Sequence, residues 1–431
     1  TTAINYFCTL QIVKARDGEE EKGERLRLKS ERKAKFWKWV AFLSSLGILC
    51  YFKYSNFFIS SVNDALSLLG IAPKLELLRV VLPIGISFFT FQALTYTLDV
   101  YNKKTEVRRN FIDVALFVSF FPTILSGPIE KARNFLPQLE GESRIIFTDI
   151  IEGGKRFIWG LFKKMVIADR LAAYIGEVYF FEPSYHSGIT LIVTAVFYSF
   201  QVYADFSGYS DMAIGIGRAL GFKLTENFKY PYFSTSVKEY WRRWHVTLSS
   251  WLTEYIYFPM GGNRVKTSRW LFNIIVVFLL SGLWHGDKWS YIFWGGLNGI
   301  YYLAEFYYKK TSFYEKLHNN NAFQKINPFL SMVVVFALVT IARVFFRTED
   351  VGKAFQVLSG FFTNEGGFYW RGSAFETAVS MALLVLFIGL DFIRYKEYRF
   401  HPLISYGGYA VLICILLLFG VSESGFVYFR F

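Results

Sequence analysis

A chain of 431 residues in which 53% of side chains are hydrophobic and 20% aromatic has too much apolar sequence, gathered in long blocks, for an ordinary soluble domain. Short charged stretches separate the blocks, a pattern typical of helical proteins that cross a bilayer several times. The formal net charge of +13 lies mostly in these short connections, so we expect no nucleic-acid partner.

The predicted elements are therefore membrane helices, and we expect an all-α polytopic membrane protein. The blocks that approach the roughly 20 residues needed to cross a hydrocarbon core are 36–52, 77–98, 111–127, 156–176, 188–204, 270–285, 289–308, 328–346, 376–393 and 405–427, with shorter ones at 1–10 and 211–222. This pattern predicts roughly ten to twelve transmembrane helices. No internal repeat or linker divides the chain, so residues 1–431 are treated as a single membrane domain.

The first residues and the basic loops predict the orientation of the chain. The opening block is too short to span and has no Met, so we expect a truncated N-terminus that begins inside a helix. Basic residues cluster at 14–35, 102–110, 261–269 and 309–310, as cytoplasmic loops do. Two predicted crossings separate the first loop from the second, and two separate the third from the fourth, so all can lie on the cytoplasmic side.

Polar side chains interrupt the apolar sequence between residues 197 and 222. They are Gln201, Asp205, Ser207, Tyr209 and Asp211. An aspartate near the bilayer centre costs about 2.5–3.5 kcal/mol on insertion scales, so these groups require a polar interior. A satisfied structural network and a functional lining are equally compatible with the pattern.

The segment 235–264 has an aromatic and apolar stripe at helical spacing. Its members are Tyr240, Trp244, Leu248, Trp251 and Tyr255. Together with Lys238, Arg242 and Arg243 at its start, the stripe predicts an amphipathic helix at the cytoplasmic interface. Trp241 and His245, four residues apart, are expected on one face. These cations would attract phosphate groups, either those of a soluble ligand or those of anionic lipid headgroups.

Histidine is the remaining candidate for chemistry. The sequence has no Walker loop, no G-x-S-x-G elbow and no His or Cys pair at zinc spacing, so we expect no metal. Of the five histidines, three are interpreted as structural residues in loops or at interfaces: His186, His318 and His401. His285 is different because it lies inside an apolar run, where an imidazole loses its hydration.

Several segments resemble the membrane-bound O-acyltransferase family, over a recognisable core from about residue 40 to 360. They are "LPIGISFFTFQALTYTLDVY" (82–101), "FFPTILSGPIE" (120–130), "QVYADFSGYSDMAIGIG" (201–217), "ENFKYPYFSTSVKEYWRRWHVTLSSWLTEYIYFPMGGNR" (226–264), "LSGLWHG" (280–286) and "ARVFFRTEDVGKAF" (342–355). The likeness is strongest to the bacterial branch that O-acetylates polysaccharides.

The resemblance implies a ring of helices around a central tunnel in the bacterial inner membrane. The family's catalytic histidine corresponds to His285, and its second active-site polar position corresponds to His245. Trp284, beside His285, and Trp241 join the candidate tunnel lining. Sixteen residues from Arg269 reach His285, about 24 Å of helix. We therefore expect His285 toward the outer side and His245 near the inner side, at opposite ends of the tunnel.

The resemblance and the chemistry of imidazole together predict an O-acetyltransferase. Acetyl would pass from cytoplasmic acetyl-CoA, used as substrate with no bound cofactor, toward hydroxyls of an extracytoplasmic polysaccharide, with a periplasmic or surface protein completing the transfer. His285 would act as general base, and His245 would orient the donor or stabilise the oxyanion. One alternative is D-alanyl transfer to teichoic acid from a carrier-protein thioester. Another is a transporter without chemistry.

Overall fold

The computed structural model describes residues 1–17, 24–72, 75–140, 145–180, 183–398, 401–422 and 425. Within these ranges every regular element is a helix, which confirms the all-α class. The α-helices in chain order are α1 (Thr2–Arg16), α2 (Glu24–Leu49), α3 (Ser55–Leu68), α4 (Ile86–Tyr101), α5 (Phe111–Val118), α6 (Phe121–Ile124), α7 (Ala132–Phe135), α8 (Phe147–Phe162), α9 (Asp169–Phe180), α10 (Gly188–Ala219), α11 (Val237–Arg243), α12 (Val246–Leu252), α13 (Thr267–His285), α14 (Trp289–Tyr308), α15 (Ser312–His318), α16 (Asn321–Thr348), α17 (Val351–Thr363), α18 (Ala374–Tyr395) and α19 (Pro402–Phe419). Cys50–Tyr54, Lys163–Ala168 and Thr253–Tyr257 are π-helical, and Leu136–Leu139, Pro183–Tyr185 and Pro231–Phe233 are 3₁₀ turns.

Five helices of the described chain are long and apolar enough to cross a membrane. They are Gly188–Ala219, Thr267–His285, Phe323–Thr348, Ala374–Tyr395 and Pro402–Phe419. The other helices are shorter, more polar or interrupted, so the predicted count of ten to twelve and its ring arrangement are not confirmed. Multiple crossings remain the consistent interpretation, because each of these five helices has at least 18 residues, which is within the range of lengths that cross a bilayer.

The last two helices present apolar side chains to their surroundings. In the apolar window of α19 only 6% of the residues are buried, and Leu417 and Leu418 are largely exposed. On α18, Val385 is also exposed. A continuous apolar surface of this kind is unfavourable in water and is covered by acyl chains in a bilayer.

Two predicted spans are interrupted at proline and glycine. The block 77–98 becomes a helix only from Ile86, after Pro83 and after Gly85, whose φ is 76°. The block 111–127 breaks between α5 and α6, where Pro122 lies in the first turn of α6. Proline has no backbone N–H and clashes with the preceding turn, so each block contains less continuous helix than its hydropathy suggests.

The described residues cluster into two compact units. Unit 1 comprises Thr1–Gly153 and Ile216–Thr225, and unit 2 comprises Gly154–Gly215 and Glu226–Phe431. In unit 1, the buried Asn5 of α1 connects two neighbouring helices: its Nδ2 donates to Ser45 Oγ at 2.8 Å, and its Oδ1 accepts from Thr97 Oγ1 at 2.8 Å. The single-domain interpretation stays a prediction.

Unit 2 has an aromatic core that surrounds the predicted histidines. Its large buried side chains include Trp159, Phe162, Tyr203, Trp244, Trp294 and Phe345. Hydrogen bonds join α10 to distant helices: Ser199 Oγ lies 3.0 Å from Thr340 Oγ1, and Tyr203 donates to Asp391 at 2.9 Å. These bonds satisfy polar groups that would otherwise be costly inside an apolar core.

Candidate active site

His285 is the last residue of α13 and only 1% of its surface is exposed. Its Nδ1 lies 2.6 Å from the carbonyl oxygen of Ser281, one helical turn earlier. A carbonyl oxygen only accepts hydrogen bonds, so Nδ1 bears the proton and donates it. In the neutral ring the lone pair is therefore on Nε2, which is the nitrogen able to act as a base.

Aromatic side chains from three helices enclose the His285 ring. Its centroid lies 5.0 Å from that of Trp284 on α13, 4.9 Å from that of Trp294 on α14 and 5.6 Å from that of Phe346 on α16. These rings exclude water from the imidazole and restrict its rotation. His285, which lies inside an apolar run of the sequence, is thus surrounded by packed protein side chains.

Two glycines allow α13 and α14 to approach closely beside this ring. A Cβ on Gly282 would lie 2.3 Å from the carbonyl oxygen of Tyr291, and one on Gly295 would lie 2.3 Å from that of Phe278. No other residue fits at such a backbone contact. The crossing brings Trp294, next to Gly295, against His285.

His245 lies at the bend between α11 and α12, with φ 45° and ψ 53°. This left-handed conformation is uncommon for a residue with a Cβ and often occurs at functional sites. The side chain is buried, its Nδ1 lies 3.2 Å from Asn227 Oδ1, and its ring contacts Phe206 at 4.6 Å between centroids. Burial, with a smaller contribution from His285, lowers the pKa of His245 well below its usual value. The neutral ring therefore predominates near neutral pH.

The two histidines meet in one site. Their ring centroids are 6.1 Å apart with planes at 81°, and Trp284 contacts both, lying 5.6 Å from His245. The expectation that the histidines occupy opposite ends of a tunnel is therefore wrong. It placed His245 at the membrane surface on the evidence of flanking arginines, whereas the bend carries the residue into the protein.

The predicted amphipathic interfacial helix is wrong for the same reason. The helix stops at Arg243, Trp244 is extended, and a new helix begins after His245. The stripe residues Trp244 and Trp251 are buried in protein rather than placed at headgroup level. Because the helix is broken, Trp241 and His245 do not share a helical face.

Trp241 belongs to the surrounding aromatic layer. Its ring lies 5.8 Å from that of Trp294, which contacts His285, and 5.3 Å from that of Phe278. Its Nε1 is buried and has no hydrogen-bond partner among the described residues. Trp241 thus approaches the site through Trp294, while Trp284 touches both imidazoles directly.

Three polar residues of α10 bond with buried cations of the π-helical segment Lys163–Ala168. Lys164 Nζ lies 2.7 Å from Asp205 Oδ1, and Lys163 Nζ donates to Ser207 Oγ at 2.8 Å and also pairs with Asp211. Asp205, Ser207 and Asp211 therefore form a satisfied structural network, one of the two interpretations that the sequence left open. A functional lining stays a prediction. Gln201 is buried and Tyr209 half-buried on the same helix.

The basic residues of α11 differ in their surroundings. Arg243 pairs with Glu239 at 2.6 Å and lies 5.2 Å above the Tyr395 ring. Arg242 and Lys238 are exposed. An exposed cation remains available to a mobile anion, so Arg242 and Lys238 are better placed than Arg243 to meet a charged ligand.

Two residues of this region were missed by sequence reasoning. Asn227 follows the acidic Glu226 within a segment matched to the family, yet nothing in its neighbours marks it as a partner of His245. Arg343 is buried on α16; its guanidinium donates to the hydroxyls of Tyr232 and Tyr240, the latter at 2.6 Å, and lies 4.3 Å above the Trp244 ring. In the hydropathy pattern Arg343 is a single charge within an apolar helix, and the pattern does not show which side chains it contacts.

The other histidines make local contacts. The ring of buried His186 lies 5.3 Å from that of Tyr369, and His318 stacks on Tyr314 at 3.7 Å. His401 accepts a hydrogen bond from the backbone N–H of Leu403 at 3.4 Å at the start of α19. Over the described ranges, no group of three or more His, Cys, Asp or Glu side chains could hold a metal ion.

The geometry provides two buried imidazoles in one aromatic site, each with its Nδ1 facing an oxygen acceptor. The Nε2 of His285 can remove a proton from a hydroxyl, which is the activation that an alcohol needs to attack a thioester. A water-poor surrounding also limits hydrolysis of the acyl donor. The arrangement therefore suits acyl transfer to an alcohol.

Known proteins are similar in sequence to this chain. The model of "MBOAT, membrane-bound O-acyltransferase family" matches residues 38–341. The chain is 37% identical to the "Probable alginate O-acetylase AlgI" of Pseudomonas aeruginosa over 93% of this chain and 73% of that protein. It is 36% identical to the "Peptidoglycan O-acetyltransferase" of Helicobacter pylori over 83% of this chain and 68% of that protein.

A more distant likeness is to the "Teichoic acid D-alanyltransferase" of Bacillus subtilis, 27% identical over 59% of this chain and 66% of that protein. The chain spans between 59% and 73% of the length of the alginate and peptidoglycan relatives that it matches. The family match includes the segments that hold both His245 and His285. The chain belongs to the membrane-bound O-acyltransferase family and is an acyltransferase.

Proposed function

We propose that this enzyme is an O-acetyltransferase that moves acetyl from cytoplasmic acetyl-CoA toward hydroxyls of an extracytoplasmic polysaccharide. The observation that supports it most directly is the buried pair His245 and His285, with ring centroids 6.1 Å apart and Nδ1 of each engaged. Similarity to alginate and peptidoglycan acetylating enzymes favours acetyl as the group and a glycan as the acceptor.

The reaction needs no acyl-enzyme. Nε2 of His285 takes the proton of the acceptor hydroxyl while its oxygen attacks the thioester carbonyl. The tetrahedral intermediate collapses, the C–S bond breaks, and the imidazolium returns the proton to the departing thiolate. The products are the acetyl ester and free coenzyme A thiol, and His285 regains its neutral form.

The role of His245 follows from its tautomer. An oxyanion requires a hydrogen-bond donor, but the Nδ1 proton of His245 faces Asn227 and its Nε2 bears a lone pair in the neutral ring. Burial opposes the protonated form. Of the two roles expected from the sequence, the geometry therefore favours orientation of the acyl donor over stabilisation of the oxyanion.

The proposed setting is the cytoplasmic membrane of a bacterium. The lipid bilayer surrounds the apolar helices, the acyl donor arrives from the basic side, and a periplasmic or surface partner protein completes transfer to the polysaccharide. Exposed Arg242 and Lys238, with Arg243 beside them, are placed to attract the phosphates of the donor. Attraction of the same cations to anionic lipid headgroups is the competing explanation.

The identity of the acyl donor is tested with the purified protein in detergent. Acetyl-CoA should be bound or slowly hydrolysed, and Lys238→Ala combined with Arg242→Ala should raise KM for acetyl-CoA, with an effect that shrinks as salt rises because screening weakens the attraction. Lys325→Ala is a matched control, an exposed cation on α16. If the protein ignores acetyl-CoA but accepts a D-alanyl carrier-protein thioester, the donor assignment is wrong and the D-alanyl alternative replaces it.

A further inference from the structure

We propose that Asn227 is a positioning residue that holds His245 in one tautomer and one orientation. The inference rests on the proposed function and adds a residue to its site. Asn227 is completely buried and contacts three consecutive residues of the bend: His245, Val246 and Thr247. It acts through His245 and is not assigned contact with either substrate.

The orientation of the Asn227 amide is determined by its neighbours. The backbone N–H of Thr247 lies 3.3 Å from Oδ1, and a backbone N–H only donates, so the atom that faces it is the oxygen. Thr247 Oγ1 donates to the same oxygen at 2.9 Å. The His245 nitrogen that meets this oxygen at 3.2 Å must therefore be a donor, which leaves the lone pair on Nε2.

The backbone of Asn227 also supports the bend. Its carbonyl accepts the N–H of Val246 at 2.9 Å, and two residues later Lys229 donates to the carbonyl of Arg243 at 2.9 Å. These bonds join residues 226–229, which we call the strap, to both sides of His245. They provide partners for backbone groups that the break between α11 and α12 leaves outside a helix.

The strap is in turn anchored to α10 at two adjacent positions. Asn227 Nδ2 lies 3.3 Å from Ser210 Oγ, and Arg156 bonds both Asp211, at 2.7 Å, and Glu226. Arg156 Nε also donates to Asp211 at 3.0 Å. Asn227 is thus held by contacts that do not involve His245, and a positioning residue requires such independent support.

The surroundings of His245 make its charge sensitive to this partner. The titratable group that faces it from α13 is His285, while Phe206 from α10, Trp284 from α13 and Asn227 from the strap contact it as uncharged groups. Beyond the amide, the strap's Glu226 is held by Arg156. A carboxylate in place of the Asn227 amide would stabilise imidazolium at His245.

The test is the pH profile of acetyl transfer by Asn227→Asp. The variant keeps an oxygen facing Nδ1 but adds a charge, so the acidic limb should move up by about one pH unit or more, with about tenfold lower activity on that limb and recovery at higher pH. A merely structural defect would lower activity equally at every pH. A profile parallel to that of the wild type would overturn the proposal.

The matched control is Asn5→Asp. Asn5 is also buried and also bonds a serine hydroxyl through Nδ2 and a threonine hydroxyl through Oδ1. Its profile should match that of the wild type. If Asn227→Asp does not accumulate, Asn227→Ala decides: kcat should fall about 10- to 100-fold with KM for acetyl-CoA nearly unchanged. Unchanged kcat in that folded variant would overturn the role.

Failure of this inference is distinguishable from failure of the proposed function. Transfer by the wild type and by Asn5→Asp, with an unshifted profile for Asn227→Asp, would remove Asn227 from the site and leave the acetyltransferase intact. No acetyl transfer by the wild type would overturn the proposed function, and this inference with it.

Discussion

At the residue scale, the backbone of His245 is as informative as its side chain. A φ of 45° costs a residue with a Cβ about 1–2 kcal/mol, and glycine avoids most of that cost. The sequence nevertheless has an imidazole where glycine would be more stable. Such a conflict between local preference and residue type is expected where function requires the side chain.

This conflict gives a prediction for two substitutions at one position. His245→Ala and His245→Gly should both abolish acetyl transfer, because both remove the imidazole. His245→Gly should nevertheless be the more stable protein, by about 1 kcal/mol, since alanine retains the strained backbone. Thermal unfolding in detergent, followed by tryptophan fluorescence, measures the difference. An alanine variant as stable as the glycine variant would show that the bend is not strained.

The site could be predicted from sequence only in part. The resemblance indicated His245 and His285, and the structure brings the two rings together. Their partners were not predictable: Ser281 contributes a backbone carbonyl, which any residue would supply, and Asn227 is 18 residues from His245 along the chain. Hydrogen bonds formed through tertiary structure leave no periodic pattern in the sequence.

At the scale of elements, hydropathy predicted some helices closely. The block 289–308 coincides with α14, and the block 270–285 lies within α13. Prediction failed where an apolar block contains a local break, as at Pro122, or where a helical stripe conceals one, as at His245. Nothing in the sequence of the stripe marks the break, because Trp244 and His245 are both compatible with a helix. The helix ends there in the structure, where the strap bonds to Arg243 and Val246.

The direction of α13 gives a prediction about topology. Its two ends are marked by exposed residues, Thr267 in the basic loop and Asp287 just beyond His285. Nineteen residues of α-helix span about 28 Å, close to the hydrocarbon thickness. In a background in which Cys8, Cys50 and Cys414 are replaced, a cysteine at 267 should react with an impermeant maleimide only from the cytoplasmic side.

A cysteine at Asp287 should react only from the outer side in the same experiment. Reaction of both positions from one side would contradict the crossing of α13 and the cytoplasmic assignment of the 261–269 loop. Accessibility at Asp287 that alternates with substrate would favour a transporter over the proposed enzyme. Each single-cysteine protein is compared with the cysteine-free parent, so labelling of native thiols does not interfere.

At the scale of the whole molecule, the polarity of the chain is arranged for chemistry inside a membrane. Apolar side chains of α18 and α19 face outward, while cations and carboxylates such as Lys164 and Asp205 are buried and paired in unit 2. Burial of ionisable groups in membrane proteins costs free energy, and such groups are usually paired and close to functional sites. The two histidine rings lie in this buried interior, and the Nδ1 contact of His285 with the Ser281 carbonyl leaves its Nε2 for the proposed role as general base.

The most direct test is the O-acetyl content of envelope glycans, measured by mass spectrometry before and after mild base treatment. The gene is deleted and then restored as wild type, His285→Ala or His318→Ala, with membrane abundance of each protein matched. Wild type and His318→Ala should restore base-labile acetyl groups, whereas His285→Ala should restore none, because the hydroxyl then lacks its base. Acetylation restored by His285→Ala would contradict the role of His285 in acetyl transfer.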